Sequence, residues 1–254
     1  MLSFSFPVLG DYRLSAIRSM PAVEIYLDSR LGSEQVLEFG FRHVCIATGS
    51  RWRTDGVGRS NSRAFLGWEN QGVWAPDMIS KSSKLRGICL VYDDDGYYMA
   101  NVLAERLMQD GHQVIYVTST DSIAPEASAT LEQSGIQARI MSMGAEIITA
   151  HKLKSFDGRT ASLECAYTGA RIERECSMVV PVTGRHSNDS LYHQIMANEH
   201  HHKDAGISSV QRIGDCQAPG LIASAVFAGH RYARELGSPL VSVGRDRVIL
   251  GRPR

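Results

Sequence analysis

The sequence predicts an α/β fold, and three observations carry the prediction. Residues 88–120 read as strand, helix and strand in uninterrupted order, and residues 43–49 and 210–236 supply a further strand and a strand-turn-helix. Between them, residues 145–182 alternate and turn at Asp157-Gly158 and Thr168-Gly169. The 254-residue chain is 43% hydrophobic and 21% charged, an ordinary globular balance that allows one or two domains.

From the amino terminus, residues 23–27 alternate as a short strand, and Ser33 stands as the N-cap of a helix reaching Phe39. Residues 43–49 form a strong apolar strand stopped by Gly49. The polar, glycine-containing stretch 50–70 reads as a surface connection. After the strand at 88–92 comes a helix in which Met99, Leu103 and Leu107 share one face and Gly111 makes a left-handed cap. Residues 112–117 are a second buried strand, and residues 124–143 are mostly helix. Residues 145–167 and 170–182 read as an antiparallel meander. A last strand at 210–213 passes through the Gly214-Asp215 turn into a helix from about Gly220 to Leu236, stopped by Gly237.

The segment 88–120 has the length and order of a βαβ nucleotide-binding crossover, yet Asp95, Tyr97 and Ala100 stand where the three glycines of a phosphate-binding turn belong. Glycine is needed there so that backbone N–H groups approach a pyrophosphate at the helix N-terminus. The helix dipole favours an anion by roughly 0.3–1 kcal/mol. One carboxylate about 4 Å from a phosphate charge repels it by roughly 4 kcal/mol at an effective dielectric near 20, so repulsion wins. Asp93, Asp94 and Asp95 fit two other roles, capping the helix or holding a divalent cation. Their adjacency departs from the alternating spacing of a calcium loop and favours the cap.

Composition narrows the partners. Lys plus Arg and Asp plus Glu each total 27, so no overall field draws nucleic acid or an anionic membrane. No apolar run reaches the roughly 18 residues a membrane helix needs, and a cytoplasmic location is expected. The five cysteines, Cys45, Cys89, Cys165, Cys176 and Cys216, show no C-x-x-C spacing, and Cys216 falls in a loop with room to be exposed. His200, His201 and His202, with Glu199, Asp204 and His193, have the residue types of a metal site, but consecutive imidazoles on a loop rarely converge on one ion, so no metal is assigned. Arg245, Arg247, Arg252 and Arg254 are either a docking tail or a solvated terminus. No G-x-S-x-G supports hydrolase chemistry, and no catalytic residue is assigned.

Four segments together carry a resemblance. They are Ile46-Ala47-Thr48-Gly49-Ser50-Arg51-Trp52-Arg53-Thr54-Asp55-Gly56, the acidic crossover with Tyr98-Met99-Ala100, Val182-Thr183-Gly184-Arg185-His186-Ser187, and Ile213-Gly214-Asp215-Cys216-Gln217-Ala218-Pro219. The final helix, with Ala225 and Phe227-Ala228-Gly229-His230-Arg231, continues the pattern. Here the chain resembles the trimethylamine and dimethylamine dehydrogenase branch of the NADH:flavin oxidoreductase family, in its carboxy-terminal nucleotide-binding portion.

The resemblance implies a Rossmann-like FAD/NAD(P)-binding fold. Residues 1–83 and 178–254 would form a partial outer FAD/ADP-type domain without its first crossover, with residues 84–177 as an inserted NAD(P)-like domain. It implies that Ala47, Thr48 and Gly49 line a nucleotide site holding FAD or ADP weakly, with Gly214 and Asp215 at its pyrophosphate-ribose end. FMN and a 4Fe-4S cluster are expected only on a separate barrel that oxidises a methylated amine, and an electron-transferring flavoprotein is the implied partner. Two other readings stay open: a non-catalytic scaffold or interaction protein that keeps the fold, and an independent NAD(P)H-dependent flavin reductase, which the acidic crossover disfavours.

Overall fold

The computed structural model describes residues 6–79, 87–197 and 204–237, with side chains from residue 10 onward. The histidines 200–202, Glu199, the four carboxy-terminal arginines and the expected domain boundary at 83/84 lie outside the described residues. In chain order the elements begin with α1 (Phe6–Arg18), α2 (Ser33–Glu38), β1 (His43–Ile46), β2 (Ser50–Trp52), α3 (Pro76–Ile79), β3 (Ile88–Asp93), α4 (Met99–Gln109) and β4 (Gln113–Thr118). A 3-10 turn at Pro125–Ser128 leads to α5 (Gln133–Ser142), β5 (Glu146–Ile148), β6 (His151–Phe156), β7 (Thr160–Cys165), β8 (Arg171–Glu175), β9 (Met178–Val182) and β10 (Arg185–Ser187). The chain continues through α6 (Ser190–Ala197), β11 (Ser209–Arg212), a 3-10 turn at Gly214–Cys216 and α7 (Ile222–Glu235). No helix among the described residues is long and apolar enough to cross a membrane.

Two compact units divide the chain, Met1–Val44 with Ser190–Val210 and Cys45–Asp189 with Gln211–Arg254. In the smaller unit Ile195 and Ile207 are buried, and the Ser208 and Ser209 N–H groups both donate to the Arg42 carbonyl. The expected strand at 23–27 does not form. Val23, Ile25, Tyr26 and Leu27 are exposed, and a turn at Asp28 with φ of 55° interrupts the run. Alternation alone does not make a strand, because its N–H and C=O groups need a neighbouring strand. The helix cap also shifts by one residue: Gly32 is the N-cap of α2, and its N–H donates to Gln35 Oε1 at 2.6 Å.

The larger unit is built on a four-stranded parallel sheet in the order β5-β4-β3-β9. Its strands are near-continuous apolar runs because both faces are covered. Cys89, Val91, Val114, Tyr116 and Val180 pack on one face against Ala100, Leu103, Ala104 and Leu107 of α4 and Ile140 of α5. On the other face Leu90, Tyr92, Ile115, Val117 and Val179 pack against Leu153, Phe156, Ala161 and Leu163 of the antiparallel meander β6-β7-β8. Each fully buried large side chain in these layers stabilises the fold by about 1.5–3 kcal/mol. The sequence places the meander's turns correctly. Its outer segments, however, belong elsewhere: β5 runs parallel to β4, and β9 parallel to β3.

On α4 the buried stripe is Ala100, Leu103, Ala104 and Leu107, whereas Met99 is exposed. The helix ends as expected. Gly111, with φ of 89°, donates to the Met108 carbonyl and His112 to that of Leu107, which together close a Schellman motif. Only α5 and one 3-10 turn form in the segment 124–143, where Leu131 at φ of 61° breaks the helix.

The segment 50–70 is more than a surface connection. β2 pairs antiparallel with β10, Phe65 is buried in the meander layer, and Leu66 runs beside β6, donating to Lys154 O at 3.0 Å and accepting from Phe156 N at 2.8 Å. Gly67 follows at φ of 83°, where an added Cβ would lie 1.9 Å from the Phe156 carbonyl oxygen. Gly67→Ala is expected to lower the unfolding free energy by at least about 2 kcal/mol in urea titrations, from the left-handed backbone and the collision together.

Candidate functional site

Two places in the larger unit gather polar side chains, and the first is the turn between β11 and α7. The Ile213 N–H donates to the Ile46 carbonyl, which brings the end of β1 beside the Gly214 turn. Gly214 has φ of 57°, a conformation that glycine adopts without strain. Asp215 then receives three donors: Ser50 Oγ at 2.8 Å and Arg185 Nη1 at 2.7 Å on Oδ2, and the Gly220 N–H at 3.1 Å on Oδ1. Arg185 also donates to Gly220 O at 2.7 Å and lies 5.0 Å over the Trp52 ring. Ser187 Oγ donates to the Asp215 carbonyl at 2.9 Å.

The sequence-assigned residues meet here. Thr48 Oγ1 contacts both the Asn188 carbonyl and Cys216 Sγ, the Asn188 N–H donates to Gly49 O, and Ala47 and Thr48 are exposed at the strand end. Cys216 is fully buried rather than exposed, because the 3-10 turn folds it under the Thr48–Asn188 contact. Sequence reasoning missed Arg185 and Ser50 as partners of Asp215. They lie 30 and 165 positions away, and no local spacing reports such a pairing. A carboxylate offers about four acceptor sites, of which these three donors fill three.

The second place is the carboxy-terminal edge of the parallel sheet. The crossover through α4 runs from β3 to one side, while β9 returns on the other, so the strand order reverses between β3 and β9, where ligands of open α/β sheets bind. Here the chain's own loop, residues 57–61, occupies that edge. The Ser60 N–H donates to Asp94 Oδ2 at 2.8 Å, Ser60 Oγ to Ser119 Oγ at 2.7 Å beyond β4, and Gly184 N beyond β9 to Val57 O at 3.0 Å. Gly58 is required for the fit, since a Cβ there would lie 2.5 Å from Asp94 Oδ2 and 3.0 Å from Thr183 Cβ.

The aspartates cap no helix. Asp93 is fully buried and accepts the Gly96 N–H at 2.8 Å and the Tyr116 hydroxyl at 2.6 Å, while Asp94 accepts Ser60 N and, at 2.9 Å, Ser119 Oγ. All four carboxylate oxygens are thus engaged by protein donors, and α4 begins after Tyr98 with no side-chain cap. That corrects the capping expectation: the strand end draws the first two carboxylates inward, away from the helix N-terminus. Only Asp95 is half-buried; burial pushes its carboxyl up while Arg185 and Arg59 pull it down. Asp93 is pushed up to about 6 by burial, against the lowering pull of Tyr116 and Gly96.

No family model matches the chain. Dimethylamine dehydrogenase from Hyphomicrobium sp. (strain x) is 29% identical over 252 residues, a match covering 89% of this chain and 34% of that protein. Histamine dehydrogenase from Rhizobium sp. 4-9 superposes with a TM-score of 0.90 at 40% identity, over 96% of this chain and 39% of that one. The chain is homologous to these amine dehydrogenases. It spans about a third to two-fifths of their length, a share consistent with a carboxy-terminal portion. Thioredoxin reductase from Lactococcus lactis, at 18% identity and a TM-score of 0.53, shares the fold, so the α/β architecture is of the FAD/NAD(P)-binding kind.

The folded-state pKa of Asp93 lies above the ordinary carboxylate value near 4, so the fold favours its protonated form. Its contribution to stability is present below pH ~4 and is lost as pH rises through about 6, a change of roughly 3 kcal/mol at ~1.4 kcal/mol per pH unit. Asp93→Asn should abolish that component, so the difference in unfolding free energy between variant and parent changes across pH 4 to 6. A pH-independent difference in chemical denaturation would contradict the assignment.

Proposed function

We propose that the chain is the nucleotide-binding module of an amine-dehydrogenase-like flavin oxidoreductase. In this reading residues 1–83 and 178–254 belong to an outer FAD/ADP-type domain and residues 84–177 to an inserted NAD(P)-like domain. ADP or FAD lies between the Ala47-Thr48-Gly49 strand end and the Gly214-Asp215 turn. A separate barrel carrying FMN and an iron–sulfur cluster oxidises the amine, and an electron-transferring flavoprotein accepts the electrons. The observation that carries the reading is the Asp215 turn: its carboxylate is positioned by Ser50, Arg185 and Gly220 with one acceptor site left for a sugar hydroxyl. When bound, an adenine nucleotide supplies binding and orientation here, and the chain's own part is to hold a hydroxyl at Asp215.

The surface of α7 supports a role inside an assembly. Ile222, Val226 and Phe227 are 63%, 38% and 67% exposed, and the helix has no buried residue. Exposed apolar side chains clustered on one helix mark a surface that another part covers.

A second reading, a scaffold without a ligand, is favoured by the three internal donors that Asp215 satisfies without any nucleotide. Isothermal titration with ADP separates the two. The module reading expects saturable binding that Asp215→Ala weakens by roughly 1–3 kcal/mol, with circular dichroism confirming that the variant folds. No binding at millimolar ADP would leave the scaffold.

The loop 57–61 makes a separate expectation for the inner sheet. In parallel titrations NADH and NADPH give no saturable heat, because the loop fills the crevice where a dinucleotide would lie and the buried Asp94 holds it there. Low-micromolar binding, lost on substituting the residues of this edge, would overturn that account.

A further inference from the structure

A cleft of about 420 Å³ lies between the loop 60–66 and the outer face of the β6-β7-β8 meander, apart from the Asp215 turn and sharing only Ser60 and Asn61 with the loop at the sheet edge. Its rim is fixed on the inside. Ser60 is held by Asp94 and Ser119, Asn61 Nδ2 donates to Tyr92 Oη at 3.2 Å, Phe65 is buried, and Leu66 is bonded on both sides to β6. The cleft is therefore a formed feature rather than a gap beneath a loose loop.

Its charge is one-sided. Arg63, Lys152, Lys154 and Arg171 line it, and Glu164 is the only carboxylate among its lining residues. Glu164 is shared between Lys154 at 3.3 Å and Arg171 at 3.6 Å, so it cannot neutralise both. Arg63 and Lys152 pair with no carboxylate among the described residues, although Lys152 stands directly opposite Glu164 in the strand register. Four cations about one carboxylate repel each other at a cost that a bound anion would relieve. The Ser62 and Ser162 hydroxyls add neutral donors to the lining.

We propose that this cleft binds a compact phosphate-bearing anion. The volume is at the small end of ligand pockets, which suits a diphosphate or a small phosphorylated metabolite better than an extended chain. Arginine at the rim offers a planar fork matched to phosphate oxygens, and the lysines act as point charges on the floor. The site draws on residues that take no part in the Asp215 turn, so it stands or falls independently of the function proposed above.

Titration of the chain with sodium pyrophosphate at low ionic strength tests the site. The expected result is saturable binding that the double substitution Arg63→Ala/Lys152→Ala weakens at least about tenfold, one charge-assisted contact being worth roughly that factor. Arg106→Ala, which removes a cation from α4, should leave the affinity unchanged. Glu164→Gln should strengthen binding several-fold, because it deletes the only carboxylate of the lining, and that gain cannot arise from misfolding. Absence of saturable binding, or binding indifferent to the double substitution and to Glu164→Gln, overturns the proposal. Tighter binding of a glutamate-rich peptide than of pyrophosphate through the same cations would also overturn it, making the cleft a protein-docking surface.

Discussion

The buried carboxylate of Asp94 determines what the carboxy-terminal edge of the parallel sheet can do. It is 5% exposed, and its two oxygens take the Ser60 backbone N–H and the Ser119 hydroxyl, so the turn after β3 is tied to the loop 57–61 and to the end of β4. A buried charge keeps its place only when hydrogen bonds replace the water it has lost, and here both donors come from the chain itself. The position that would face a ligand in an open α/β sheet is thereby committed to internal contacts. Asp93, one residue earlier, is committed to Tyr116 and Gly96.

This changes the reason for regarding the acidic crossover as hostile to a dinucleotide. Electrostatic repulsion from three carboxylates would matter if they faced the phosphate position. Two of them point into the protein, and Asp94 holds the loop 57–61 over that edge, so the exclusion we propose is chiefly steric. Gly58 makes the arrangement possible, since any side chain there collides with Asp94.

The turn at Asp215 uses the same chemistry to a different end. Arg185, on the ribbon of β2 and β10, bonds Asp215 and the Gly220 carbonyl and stacks over Trp52, so one guanidinium joins the ribbon to the start of α7. The carboxylate is held but not used up. That contrast between a fully engaged Asp94 and a partly engaged Asp215 is what favours the outer turn over the inner crossover in the function we propose.

Local sequence determined what depends on local physics. The run 88–92, the glycine cap at Gly111, the hairpin turns at Asp157-Gly158 and Thr168-Gly169, and the Gly214 turn all form where composition and periodicity place them. Failures came where a second segment decides the outcome. Residues 23–27 have the alternation of a strand and no neighbour to complete it; β5 and β9 flank the meander in sequence but pair with β4 and β3. The destination of Asp93 and Asp94, and the identity of Arg185 as the partner of Asp215, depend on contacts across 23 and 34 and across 30 positions. Hydrogen-bond partners of buried charges are chosen by the packed fold, because burial creates the need for them and only tertiary structure brings the donors within reach.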